Sequence, residues 1–205
     1  VQTQGTLQGL PLAWVDALGS AAAATAAAPP PLARMGLAST LVLDGQWSLN
    51  TQSPLRASAR LQRASGDLRI LAGEPLDMPT PPAVTAVRNG SQGTPAGVRE
   101  AEVAVELDGD TLRAQLAWAS ERAGNVTATA STRLAITGND LATLTWPASA
   151  PLAGTLRARL PDVGVWTALA PPGWRVRGTL DANATLSGTR DAPRWSGTLG
   201  ADDLA

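Results

Sequence analysis

The chain contains no cysteine, no histidine, no lysine, no phenylalanine and no tyrosine. Without Cys or His there is no ordinary zinc or haem ligand set, no thiol nucleophile and no imidazole base. Without Lys there is neither a Schiff base nor the lysine of a phosphate-binding loop. Asp, Glu, Ser, Thr and Arg remain, scattered along strand patterns without a constellation. No catalytic residue, metal or cofactor is therefore assigned, and an enzyme is not expected. All sixteen basic residues are Arg, set against seventeen acidic ones for a net charge of −1. They alternate with Asp and Glu and form no basic stripe, which argues against nucleic acid. No apolar run approaches the ~18 residues of a membrane span. The absence of Cys fixes no compartment, and Arg in place of Lys is read as the coding bias of a GC-rich genome.

What is present is a repeated unit. Gly5-Thr6-Leu7 leads through Leu10-Pro11 to Trp14 and Leu18, and Gly154-Thr155-Leu156 leads through Leu160-Pro161 to Trp166 and Leu169. Each is followed by a proline cluster (Pro29 to Pro31; Pro171 and Pro172) and a Gly-headed strand pattern (Gly36 to Leu43; Gly178 to Leu186). Then come a glycine (Gly45; Gly188), a proline (Pro54; Pro193) and another strand pattern. Such repetition marks an array in which each unit buries its apolar face against its neighbours. Three stretches result. Residues 1–35 carry a strand end, a short helix and an Ala/Pro-rich connector; 36–151 form an amphipathic strand region; 152–205 are the second unit. Together they are expected to be one fragment of a longer array.

Period-two alternation dominates the middle. Val103, Val105 and Leu107 alternate with Glu102, Ala104 and Glu106, and Asp108-Gly109-Asp110 supplies Asp-Gly turn chemistry. Leu112, Ala114, Leu116 and Trp118 then alternate with Arg113, Gln115 and Ala117. After Gly124-Asn125, a third strand sets Val126, Ala128, Ala130, Leu134 and Ile136 against Thr127, Thr129, Ser131 and Arg133. The same habit recurs over Leu55 to Leu61 and over Val176, Leu180, Ala182, Ala184 and Leu186. One wet face per strand favours antiparallel pairing over a doubly covered parallel sheet.

Helix is scarce. Pro11 and Pro161 suit the first position of a helix, and Trp14/Leu18 and Val165/Trp166/Leu169 fall on one helical face. Both tryptophans are expected to be packing anchors. Residues 74–97, crowded with Pro, Gly, Asn and Ser, read as a loop with room for a weak strand at Val84 to Val87. Two short helices cannot cover a dozen strands, yet exposed apolar area costs about 25 cal/mol per Å². The sheet must pack on itself as a sandwich or barrel, or curl into a trough that meets an apolar guest. Small inward residues (Ala57, Ala59, Ala114, Ala128, Ala130, Ala182 and Ala184) and the repetition favour the trough. The expected fold is all-β: an elongated, curled antiparallel sheet, a U-shaped groove, with one or two short crossover helices.

Three stretches carry a family resemblance: Leu152 to Leu169, then Pro171 to Ala182 with its Gly178-Thr179-Leu180-Asp181-Ala182, then Ala192 to Leu204 with Pro193-Arg194-Trp195-Ser196-Gly197-Thr198-Leu199. They resemble the repeats of the TamB family, the inner-membrane-anchored subunit of the translocation and assembly module of Gram-negative bacteria, and related AsmA-like envelope proteins. The match covers about the last fifty residues and, through the internal repeat, extends more loosely to the first seventy. The resemblance implies a periplasmic β-groove bridging the two membranes and carrying phospholipid acyl chains toward the outer one. It also implies a partner of the outer-membrane barrel type, TamA or similar, and a link to outer-membrane protein assembly. It brings no catalytic motif and no cofactor.

The residues expected to line the groove are Val103, Val105, Leu107, Leu112, Leu116, Trp118, Val126, Leu134, Ile136, Val176, Leu180 and Leu186. Two other functions fit the same strands. One is a chaperone-like scaffold whose free edge templates outer-membrane β-strands; the other is a closed sandwich or solenoid adhesin module without a cavity.

Overall fold

The computed structural model describes residues 1–14, 32, 37–71, 93–136, 144–163 and 178–203. Its strands are β1 (Gln2–Pro11), β2 (Leu37–Ser39), β3 (Val42–Asn50), β4 (Arg56–Ser65), β5 (Leu68–Ile70), β6 (Thr94–Pro95) and β7 (Val98–Asp108). They continue as β8 (Thr111–Ser120), β9 (Gly124–Arg133), β10 (Ala135–Ile136), β11 (Leu144–Thr145), β12 (Leu152–Leu160), β13 (Thr179–Gly188) and β14 (Pro193–Asp202). Nine of them form one antiparallel sheet in the order β1-β3-β4-β7-β8-β9-β12-β13-β14. The sheet is not closed into a barrel. It runs unbroken through all three stretches distinguished in the sequence.

Strand pairing runs alike in the two stretches that carry the Gly-Thr-Leu repeat. In the first copy β1 pairs with β3 and β3 with β4; in the second β12 pairs with β13 and β13 with β14. In both copies the first two strands are joined by a long connection that leaves and re-enters at the same end of the sheet. The predicted crossover helices fall in these connections. Leu18, Val165, Trp166 and Leu169 lie outside the described residues, as do Val84 to Val87. Trp14, expected to anchor packing, is 60% exposed.

That end of the sheet carries a cap. β2, β5 and β6 make a small three-stranded sheet, and Leu41, Leu68, Ala96, Val98 and Ala123 form a buried cluster with Leu12, Leu37, Ala101 and Trp118 against it. Register shifts at Leu7/Leu10, Val42/Leu43 and Val98/Glu100 all fall at this end, where bulges bend the strands toward the cap. Asp67 fastens the cap to the sheet. Its carboxylate accepts from the backbone N–H of Leu68 at 2.8 Å, Gly97 at 3.1 Å and Val98 at 2.8 Å. β6 sits inside the stretch expected to be loop, because backbone pairing with β5 holds it where side-chain pattern gives no signal.

At the opposite end the connections are tighter. The β7–β8 hairpin closes on Gly109 and Asp110, with Asp108 opposite Thr111. Gly109 has φ of 60°, whereas Asp203 is the single non-glycine with positive φ among the described residues. That is a type II′ pattern with Gly first, so the glycine is needed but the Asp-Gly pairing read from the sequence is shifted by one. The strand expected to run through Ile136 instead ends at Arg133. The Leu134 N–H turns to the Asp110 carbonyl at 2.7 Å, and β10 starts a separate two-stranded ladder with β11. Arg190 clasps this end: its guanidinium stacks 5.2 Å above the Trp146 ring and donates to the Trp146 carbonyl.

Gly124 opens β9 with φ of 88°, and a Cβ there would lie 2.2 Å from the Arg159 carbonyl oxygen. Gly9 has φ of 70° with open space around it. Gly124→Ala is expected to destabilise the chain by at least ~2 kcal/mol, and Gly9→Ala by about 1 kcal/mol from backbone strain alone. Urea unfolding midpoints of the two variants check the difference.

Candidate functional site

Cross-strand register decides which side chains share a surface, since directly opposite residues project from the same face. One row runs Gly5, Trp47, Ala59, Val105, Ala114, Ala130, Gly154, Leu186, Trp195 across all nine strands. The next runs Leu7, Gly45, Leu61, Val103, Leu116, Ala128, Leu156, Ala184, Gly197. Flanking rows add Leu49, Leu107, Leu112 and Leu152 on one side, and Leu43, Trp118, Val126, Ala158 and Leu199 on the other. Arg63 is the one charge placed on this face among the described residues; it sits at the capped end and donates to the Gly66 carbonyl at 2.9 and 3.1 Å.

No described element lies over the middle of this face. Nine large hydrophobic side chains are exposed in the described structure, and six of them belong to it: Leu7, Trp47, Val103, Leu116, Trp195 and Leu199. Val103 is 42% and Leu116 39% exposed although both sit on central strands, where only an uncovered surface leaves so much area wet. Large side chains lie over small neighbours. A Cβ on Gly5 would come 2.7 Å from the Trp47 indole, and one on Gly45 would come 2.8 Å from Leu61. Aromatic and aliphatic groups thus lean across glycines and smooth the ribbon.

The opposite face is polar. Arg56 pairs with Asp108 at 3.1 Å, Arg60 with Glu102 at 2.7 Å and Arg159 with Asp181 at 3.3 Å, all across adjacent strands. Hydroxyl pairs Ser48–Ser58 and Thr129–Thr155 each close at 2.8 Å. Two hollows, of about 660 and 410 Å³, are lined chiefly by side chains of this polar side, including Gln46, Arg60 and Glu106 in the first and Arg113, Gln115 and Thr155 in the second. The ion pairs are solvent-exposed and contribute little stability individually, ~0.2–1 kcal/mol each. Their effect is to keep this side wet.

Nine of the twelve residues expected to line a groove share the apolar face: Val103, Val105, Leu107, Leu112, Leu116, Trp118, Val126, Leu180 and Leu186. Within it their environments differ. Leu107 is buried near the tight-turn end, and Trp118 packs against the cap cluster. The Trp118 indole N–H is buried with no hydrogen-bond partner among the described residues. Leu134 follows the end of β9 and leaves the ladder, Ile136 belongs to β10, and Val176 lies outside the described residues. The expected groove set leaves out Leu7, Trp47, Leu61, Leu156, Trp195 and Leu199, although the alternation over Leu55 to Leu61 already puts Leu61 on the apolar side of its strand. Alternation was present in Gly5-Thr6-Leu7, Gly154-Thr155-Leu156 and Trp195 to Leu199, but those segments register first as repeat or family markers; Trp47 and Leu49 alternate about Ser48.

The chain matches no protein-family model, no curated protein and no solved structure in the three comparisons made.

An open face and a core answer differently to charge. Leu116→Glu, on the uncovered ribbon, is expected to lower binding of an apolar dye such as ANS several-fold while changing stability by no more than about 1 kcal/mol. Leu107→Glu, at 6% exposure, is expected to cost more than ~3 kcal/mol. Dye titration and urea denaturation of both variants check the pair.

Proposed function

We propose that this chain is a segment of a TamB-like periplasmic bridge whose open apolar face carries phospholipid acyl chains between the inner and outer membranes. Uncovered apolar side chains continuous over nine strands are the observation that carries this reading. Full removal of a run of about ten methylenes from water is worth about 8 kcal/mol at ~0.8 kcal/mol per CH₂. A one-sided ribbon shields about half of that, ~4 kcal/mol, equivalent to millimolar affinity. A hold that weak, repeated over rows of similar composition, lets a chain move along the face without being trapped.

The headgroup stays at the wet edge, and no catalytic step, metal or cofactor enters. The full protein on this reading is anchored in the inner membrane, works with an outer-membrane barrel such as TamA, and links lipid supply to outer-membrane protein assembly. A second reading, a scaffold that templates barrel strands, draws on β1 and β14, the outermost strands of the sheet among the described residues.

The test is direct. Chain 1–205 is expressed, extracted mildly and analysed for co-purifying phospholipid by mass spectrometry; it is then titrated with phospholipid brominated along the acyl chain. Bound lipid and quenching of tryptophan fluorescence are expected, and quenching should fall in Trp47→Leu/Trp195→Leu, which removes the two exposed indoles of the face. No lipid and no quenching would sink the proposal; photo-crosslinking of unfolded barrel strands to β14 in their place would support the scaffold.

A further inference from the structure

Arg63 stands opposite Leu43 on β4, two residues on from Leu61, and so shares the apolar face with both. It is half-buried and is the one charge on that face among the described residues. On the polar side Arg56, Arg60 and Arg159 each meet an Asp or Glu across the ladder. Arg63 meets no carboxylate among the described residues; its partner is a carbonyl. Both Nε, at 3.1 Å, and Nη2, at 2.9 Å, donate to the Gly66 oxygen.

That carbonyl is well anchored. Gly66 lies so close to the preceding loop that a Cβ there would come 1.9 Å from the Thr40 carbonyl oxygen, and the next residue, Asp67, exchanges hydrogen bonds with Thr40 and holds the cap. The guanidinium is therefore pinned along its Nε/Nη2 edge, which fixes its plane. Of its five N–H donors three remain, two on Nη1 and one on Nη2. They form the end of the fork, the edge that matches two oxygens of a phosphate.

We infer that Arg63 recognises the headgroup, receiving on this free edge the phosphodiester of an anionic phospholipid whose acyl chain lies on the apolar face. The inference rests on the lipid-carrying reading above and adds to it the class of lipid and the edge of the ribbon at which the headgroup is held. Three observations join in it. An unpaired cation beside exposed apolar rows complements an amphiphile that is acidic at one end and hydrocarbon along the rest. The capped end, where Arg63 sits, is where the strip meets polar backbone, whereas the rows at the tight-turn end carry Leu49, Leu107, Leu112 and Leu152. No acidic side chain on this face, among the described residues, stands ready for the ammonium of a zwitterionic headgroup, so a headgroup of net negative charge is favoured.

The probes are single-chain amphiphiles brominated along the acyl chain and kept below their micelle concentrations: a lysophosphatidylglycerol, a lysophosphatidylcholine and a monoacylglycerol. Quenching of tryptophan fluorescence in chain 1–205 reads binding. Trp47, opposite Ala59, is a reporter four residues along from Arg63, ~13 Å at ~3.3 Å per residue. Lysophosphatidylglycerol is expected to bind roughly tenfold tighter than the monoacylglycerol and several-fold tighter than lysophosphatidylcholine. In Arg63→Gln the three affinities should converge, with that of the monoacylglycerol changed by less than about twofold, because the apolar strip is intact. Arg63→Lys, a charge without the fork, should restore part of the preference. Arg60→Gln removes the same charge three residues away on the polar side and should leave the preference whole.

Equal binding of all three probes to the unaltered chain would overturn the inference and leave the lipid-carrying reading standing; no quenching by any of them would overturn both. A preference that survives Arg63→Gln, or one that disappears equally in Arg60→Gln, would show that overall charge and not this residue selects the lipid. Displacement of lysophosphatidylglycerol by glycerol phosphate alone at equal concentration would show a site for a bare anion and would also overturn it. Far-UV circular dichroism confirms that each variant is folded.

Discussion

The pleat dictates this molecule. In the rows that cross the whole sheet, apolar and small residues face one another across every ladder, and a slip of one residue in any strand would turn its Leu, Val and Trp to the polar side. Three register shifts occur among the described strands, and all lie at the capped end, beyond the rows that cross the whole sheet. The body of the sheet therefore keeps a single parity from β1 to β14. One wall is charged and hydroxylated; the other is apolar and open.

An open apolar wall is an unusual outcome for a chain of this length, because water charges about 25 cal/mol for each Å² left exposed. The sheet survives by other means. Backbone ladders satisfy its polar groups, the cap buries Leu41, Leu68 and Val98 at one end, and Arg190 stacked on Trp146 ties the other. Alanine and glycine keep the exposed rows small, and Trp47 and Leu61 fold down over the glycines. What remains exposed is a shallow, continuous strip. An uncovered surface of this kind lacks the enclosure that tight capture of a compact ligand needs.

Much of this was legible in the residues. Alternation over Val103 to Trp118 placed two central strands and their turn, and the two Gly-Thr-Leu sequences lie in β1 and β12. Other features were hidden because they depend on neighbours distant in sequence. β6 forms only because β5 lies beside it, with Arg69 opposite Pro95. The break at Leu134 reflects a hydrogen bond to Asp110, which periodicity does not register. Leu107 and Leu116 have the same pattern in the sequence, yet one is buried and the other open.

The sequence by itself determined the class of structure and the two-sidedness of each strand, because a period of two is a local property of an extended chain. The absence of Cys and His also leaves the chain without a thiol, an imidazole or a Cys/His metal-ligand set. Only the tertiary structure decided that the sheet stays open, which rows align across it, and which apolar residues become cap, core or uncovered ribbon. Those outcomes are set by register and by long-range closure between strands far apart in the chain, and alternation is the same whichever way they fall.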